Sequence, residues 1–578
     1  MPLVSRRTFV QGVAGSALLA RSSRWSAARA ALSDAVLSGS AFELTIGSLA
    51  VNYTGRPRVA TAINGQVPAP LLRWREGDTV TLRVTNRLAV RSSVHWHGIL
   101  LPAAMDGVPG LSFPGIGPGE TYVYRFAVQQ SGTYWYHAHS GFQEQTGLYG
   151  PIVIEPRTPV RQRADRDYTV LLSDWSDSDP EHLYATLKRH SDYYNYGKHT
   201  AGDFIAEVRA KGWSAAFSDW GAWGRMRMDP TDLVDVSGAT YTYLMNGTTP
   251  AGNWTARFSP GQSVRLRFIN GSAMSFFDIR VPGLDLAVVA ADGQDIEPVT
   301  VEEFRMAPGE VLDVIVQPKA DQAYTIFAQS MDRSGFARGT LSPHDGLIAQ
   351  VPALDPRPLL AMADIGMSMA GMKGMSGMDA AAMANMPGMA AANSGPAVHS
   401  IAGADNPGVD MVVDMPRTDL DDPGVGLRQN GRRVLTYADL HTLGGALDPR
   451  DAAREIELHL TGHMERFMWS FNGQKFSQSA PLRLSYGERV RFVLINDTMM
   501  THPIHLHGQW SEVVAPDGSF QVRKHTVMVQ PAQRVSYLVT AAALGRWAYH
   551  CHLTYHMAAG MFREVRVETN ANAATGHS

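Results

Sequence analysis

The sequence predicts an all-β protein of three tandem sandwich domains, and three observations carry that reading. The first is an internal repeat. In segments opening at Gly77, Gly261 and Gly487, a valine follows the glycine by three residues and an asparagine by nine (Val80 and Asn86, Val264 and Asn270, Val490 and Asn496). Apolar and polar residues alternate between the markers, the period of a half-buried strand. The second is a matched later strand in each copy, at residues 132–136, 323–327 and 545–549. The third is frequent Gly and Pro turns with almost no long helical periodicity over 578 residues, a length beyond one core.

The repeat also shows which copies carry chemistry. Nine and eleven residues after the marker asparagine stand His95 and His97 in copy one, and His505 and His507 in copy three. Copy two has Ile279 and Val281 at those offsets. After the later strand, copy one reads His137, Ala138, His139 and copy three His550, Cys551, His552, against Ala328, Gln329, Ser330 in copy two. On a strand, His-X-His sets both imidazoles on one face. Eight such imidazoles from two domains can converge across their interface and hold three metal ions, with the middle domain as a spacer.

Cys551 is the chain's only cysteine, so it forms no intramolecular disulfide and its role is ligand or nucleophile. His556 follows it by five residues and Met561 by ten. A thiolate, two imidazoles and a weak axial thioether make a blue-copper ligand set. His502, three residues before His505, is free to be the second imidazole. In an extended segment His550 and His552 point away from the thiolate side, toward a second metal centre a few covalent bonds off.

The N-terminus reads as an address. Arg6 and Arg7 precede an apolar run from Val10 to Ala20, about ten residues and too short to span a bilayer, then a small-residue region ending near Ala30. The expectation is a twin-arginine signal over residues 1–30, export of the folded protein to a bacterial periplasm, and no membrane span. Removing it takes five arginines and no acid from a chain of net charge -3, leaving about -8, which argues against a general nucleic-acid binder.

Residues 182–230, rich in Trp, Tyr and His, read as a packed surface excursion of the middle domain. From 361 to 391 runs a low-complexity stretch of Met, Gly and Ala with no helical stripe. Its thioethers, Met367, Met369, Met372, Met375, Met378, Met383, Met386 and Met389 among them, are soft groups that prefer Cu(I). The remaining ten histidines (His182, His190, His199, His344, His399, His441, His459, His463, His525 and His577) show no comparable spacing and read as surface or structural residues.

Four motifs, HWHG at 95–98, HAH at 137–139, HPIHLH at 502–507 and HCHLTYHMAAGM at 550–561, together resemble those of the multicopper oxidases. Stretches at 291–295, 330–336 and 436–440, with the leader and the Met-rich run, resemble the periplasmic copper-resistance branch of that family, usually called CopA. The resemblance implies cupredoxin-like Greek-key domains at 42–157, 165–350 and 411–567, with a Met-rich linker at 351–410. It implies four copper ions: type 1 on His502, Cys551, His556 and axial Met561; type 2 on His95 and His505; two type 3 ions on His97, His137 and His552, and on His139, His507 and His550. Electrons would be taken singly at type 1, pass through Cys551, and reduce O2 to two waters. Asp106 matches the family's acid for proton supply. Where some relatives carry an acid after the last type 1 histidine, this chain has Met557 and Ala558, so the pattern supplies no second relay there.

Cu(I) oxidation in copper resistance is the expected activity, with periplasmic copper-handling proteins as partners. Laccase-type oxidation of organic donors and copper sequestration by the Met-rich run stand as alternatives. A copper nitrite reductase is disfavoured because eight paired histidines outnumber what one catalytic copper uses. Zinc and iron readings fail on a lone thiolate with an axial Met.

Overall fold

The markers of the repeat fall on equivalent strands. Thr79–Asn86 alternates in burial, with Val80, Leu82 and Val84 inside, while Val264–Asn270 is buried throughout. Each marker strand pairs in parallel with the strand that opens its domain: Ala41–Val51, Arg166–Ser176 and Arg454–His463. On its other side it pairs antiparallel with Thr121–Ala127, Val311–Val316 and Arg534–Thr540. A second sheet closes each sandwich, and there the histidine-bearing strands lie side by side. His95–His97 pairs antiparallel with Gly132–His137 and His502–Leu506 with Gly545–Cys551. The copy without paired histidines repeats this with Phe277–Arg280 against Tyr324–Ser330. The structure, a computed structural model, describes residues 35–158, 162–367, 406–413 and 415–569. From Leu37 on, these fall in one compact unit.

The marker asparagine is a clip. Asn86 donates its side-chain N–H groups to the carbonyls of Val90 and Ile116, Asn270 to Ser275 and Met306, and Asn496 to Met500 and Val529. Each Oδ1 accepts the N–H two residues on. All three are fully buried, and a buried amide is retained where all its hydrogen bonds are made. The clip fixes the loop leading into the strand that bears the histidines.

Residues 182–230 depart from the β pattern. Helices form at Pro180–Leu187, Ala201–Lys211 and Trp213–Met226. Their starts carry local signals that the whole-chain periodicity dilutes: Asp179 caps a helix with Pro180 at its first position, and Thr200 and Asp203 form a capping box. Between the second and third sandwiches runs an irregular segment, bridged by Val434 to Glu303 and by Arg417 to Gln533. Beneath it Asp278 accepts from Arg305 (2.7 and 2.8 Å) and Arg333 (2.6 Å), and the same arginines donate to the carbonyls of Val425 and Gly426. Among the described residues no helix is long and apolar enough to cross a membrane.

Candidate metal centre

The strand pairings set His95 opposite His137 and His505 opposite His550. Across the boundary of the first and third domains, His95 stacks on His507 and His97 on His505, each with ring centroids 3.9 Å apart. Ligand-capable nitrogens come within 4.8 Å of one another in sets that include His97, His137 and His552, and His139, His507 and His550. His95 groups with His505 and His507.

The inner nitrogens have nothing to bond to. The Nε2 atoms of His95, His97, His137, His139, His505 and His552 are buried without a hydrogen-bond partner, and those of His507 and His550 face each other at 3.1 Å. Outer nitrogens are held on five of the eight, whereas the Nδ1 atoms of His97 and His552 are as bare as their Nε2 atoms. His95 Nδ1 meets the Asp106 carbonyl at 2.7 Å, His507 Nδ1 the Asp106 carboxylate at 2.8 Å, and His137 Nδ1 the Glu144 carboxylate at 2.6 Å. His505 and His550 donate to the carbonyls of His525 and Cys551. An acceptor on the outer nitrogen keeps the proton there and aims the other lone pair inward, the usual support of a metal-binding imidazole. Burial first, and mutual repulsion second, holds His97, His137, His139, His505, His507 and His552 well below the ordinary histidine range. They are neutral, and a buried set of bare lone pairs is costly unless cations take them up. The residues fit a metal cluster.

On the other face of the same strand sits the thiol. Cys551 pairs with Ile504, so alternation puts it and His502 on the side opposite His505, His550 and His552. Cys551 Sγ lies 3.6 Å from His502 Nδ1 and 3.9 Å from His556 Nδ1, and the two Nδ1 atoms are 3.2 Å apart. Their Nε2 atoms are engaged, His502 with Thr498 Oγ1 and His556 with Asp235 Oδ2, each at 2.8 Å. Fully buried Met561 closes the turn: its N–H donates to the His556 carbonyl, and its carbonyl accepts from the Cys551 N–H. Trp469 stacks on His556 at 4.0 Å. Burial pushes the Cys551 thiol up from its ordinary range, so a thiolate there needs a cation beside it. One sulfur and two imidazole nitrogens converge there, and a thiolate with two imidazoles is a donor set that suits copper.

The twelve residues expected to bind metal thus lie in two constellations joined by one strand, and Asp106 lies between His95 and His507, 1% exposed. Met367 is partly buried against the core; Met369, Met372, Met375, Met378, Met383, Met386 and Met389 lie outside the described residues, as does the N-terminal address. Four supporting groups escape sequence reasoning. Asp235 stands 321 residues from His556, and Glu144, Asp292 and Thr498 belong to no metal motif. His525, read as a surface or structural residue, is corrected: it is buried, its ring is 4.7 Å from His97, and its Nε2 is unpartnered. Gly98, the last residue of HWHG, explains itself here, because a Cβ would fall 2.4 Å from the His525 ring.

Multicopper oxidase family models match residues 45–159, 166–343 and 449–571. The chain belongs to the multicopper oxidase family and is a copper-dependent oxidoreductase. It is 57% identical to copper resistance protein A of Pseudomonas syringae pv. tomato, over 98% of this chain and 99% of that one. Copper resistance protein A of Escherichia coli is 56% identical over the same shares. In fold, the chain is similar to Fet3p, described as a multicopper oxidase that functions in iron import (TM-score 0.63, 19% identity, 94% and 92% of the two chains covered). It is likewise similar to a laccase from Botrytis aclada (TM-score 0.63, 21% identity, 92% and 88% covered). The expected all-β architecture of three cupredoxin-like domains is borne out.

Proposed function

We propose that this chain oxidises Cu(I) to Cu(II) and passes the electrons to O2, yielding water, in the service of copper resistance. One observation carries the proposal: a single strand turns a thiol toward two imidazoles on one face and aims His550 and His552 into a histidine cluster on the other. Copper there supplies one-electron steps on the thiolate side and a multi-electron store beside O2. The chain supplies the rest. His502, Cys551, His556 and Met561 form the type 1 set. His95 and His505 hold the type 2 ion, and the other six imidazoles hold the type 3 pair, four coppers in all. Cys551 and its neighbours give a covalent path between the sites. Asp106 holds the outer nitrogens of His95 and His507 and is the acid that the family pattern matches for proton supply. On the uptake side the Asp235 carboxylate covers the outer nitrogen of His556, a negative group that favours a cationic donor over a phenol. The relatives named copper resistance protein A support the role in copper resistance.

With this reading go the domain boundaries at 42–157, 165–350 and 411–567, twin-arginine export to the periplasm on the strength of Arg6 and Arg7, and Cu(I) capture by the Met-rich run. The test is a metal count with optical and EPR spectra, then oxygen uptake by copper-loaded protein with Cu(I) and with a phenol. About four coppers per chain, an intense blue band and faster uptake with Cu(I) are expected; faster uptake with the phenol shifts the reading to a laccase-type oxidase. Full copper tolerance in cells carrying Cys551→Ser, but not in cells lacking residues 361–391, points instead to sequestration.

A further inference from the structure

The excursion at residues 182–230 supplies no metal ligand, yet it packs over one of the two constellations. Each domain connects its opening strand to its marker strand. That connection spans residues 52–78 in the first domain and 464–488 in the third, but 177–263 in the second. The added length of the second domain meets the hairpin of the third beside the histidines that face the thiol. His502 and His556 are both 0% exposed.

Two sets of contacts close the space. From the third domain, Trp469 stacks on His556 at 4.0 Å and lies 5.2 Å from His502, and Phe467 stands 5.9 Å from His556. From the second, helix Pro180–Leu187 is laid against these rings. Its Tyr184 meets Phe467 at 6.4 Å and Tyr555 at 6.1 Å. Just past its end, Lys188 Nζ donates to the carbonyls of Arg466 at 3.1 Å and Phe467 at 2.7 Å. One ammonium holding two carbonyls of a single turn latches the helix to the hairpin. Arg227 adds a pair with Glu465 at 2.7 Å. The excursion also steadies the stretch that carries Asp235. Asn195 donates to Thr231 at 2.9 Å and Asp232 at 2.7 Å, and Ser237 donates to the Tyr194 carbonyl at 2.7 Å. From that stretch Asp235 reaches His556 Nε2.

We propose that this excursion sets donor specificity: latched to the hairpin through Tyr184 and Lys188, it roofs the electron-entry histidines and keeps ring-sized organic donors from them. The inference rests on the Cu(I)-oxidase reading above and gives its selectivity a steric cause. Electron transfer falls steeply with distance, so a phenol held off both imidazoles by this roof is a poor donor. A metal ion needs no ring-sized opening, and Asp235 offers it a negative group.

Opening the latch tests this in copper-loaded, full-length protein, with Lys188→Ala and with Lys188→Ala combined with Tyr184→Ala. For 2,6-dimethoxyphenol, kcat/KM from oxygen uptake should rise about tenfold, while uptake with Cu(I) and the blue band stay as in the wild type. Copper-free protein reads the roof without turnover: a bulky maleimide should alkylate Cys551, the only thiol in the chain, faster in the variants. Phenol oxidation unchanged in both variants, or alkylation unchanged in both, overturns the inference and leaves the copper-site reading standing. Where the variants fail to fold, the wild type decides. A phenol that bleaches its blue band as fast as Cu(I) does overturns the inference, and a slower one supports it. Copper-loaded wild type with no blue band overturns the copper-site reading and the inference with it.

Discussion

A histidine becomes a metal ligand through what holds its far side, and in this protein the holding groups are the residues most open to test. Asp106 serves two imidazoles at once, with one carboxylate oxygen 2.8 Å from His507 Nδ1 and the other 3.3 Å from His95 Nδ1. Asp106→Ala takes the acceptor from the outer nitrogen of His507, while His95 Nδ1 keeps the backbone carbonyl of residue 106. Oxidase turnover or cluster copper affinity should fall by about 10–100-fold, measured as oxygen uptake together with copper per chain, while the blue band stays. Cys551→Ser should do the reverse. The blue absorption disappears and turnover falls to background, yet the type 2 EPR signal persists because His95 and His505 are untouched. Loss of both signals together would mean that the two constellations do not assemble separately.

At the scale of single elements, the marker asparagine links fold to site. Asn496 clips its loop and accepts a hydrogen bond from Thr498 Oγ1, and the same hydroxyl meets His502 Nε2 at 2.8 Å. Asn496→Ala removes two buried donated bonds at about 1 kcal/mol each, so about 2 kcal/mol of stability should go, read from urea unfolding. The blue band should shift as His502 loses its support. The clip also shows why so much is legible in the sequence. Strand alternation and a fixed offset from Asn86 or Asn496 are local properties, and they suffice to put His95 with His97, and His505 with His507, on one face of a strand. The rest is not local. Asp235 reaches His556 from another domain, and His525, whose ring packs against His97, has its backbone N–H held by Asp292, 233 residues away. Helix Ala201–Lys211 escapes the periodicity because its capping box is a four-residue signal inside a chain dominated by strands.

Across the whole molecule, buried ion pairs tie the second sandwich to the irregular segment leading into the third. Burial alone would raise the Asp278 carboxyl, but Arg305 and Arg333 beside it outweigh burial and hold it below the ordinary carboxylate range. Because its pKa is lowered on folding, the stability it contributes is present above the ordinary range and is lost as pH falls below about 4. Asp278→Ala strands two buried guanidinium groups and should cost about 3–5 kcal/mol. Thermal unfolding of the variant should also lose part of the acid sensitivity seen in the wild type. Metal acts at this scale too, since ions bound only by the folded form add stability by mass action. Chelation should lower the unfolding temperature of the wild type more than that of Cys551→Ser, as scanning calorimetry would detect.

The strand Gly545–Cys551 has a final consequence for how such a protein can be altered. Odd and even positions along it belong to different circuits, the sulfur to the donor side and its flanking rings to the oxygen side. A residue inserted just before His550 would exchange that parity in one stroke. Neither centre can therefore be re-registered without dismantling the other, and any redesign of donor preference has to work through the surrounding loops.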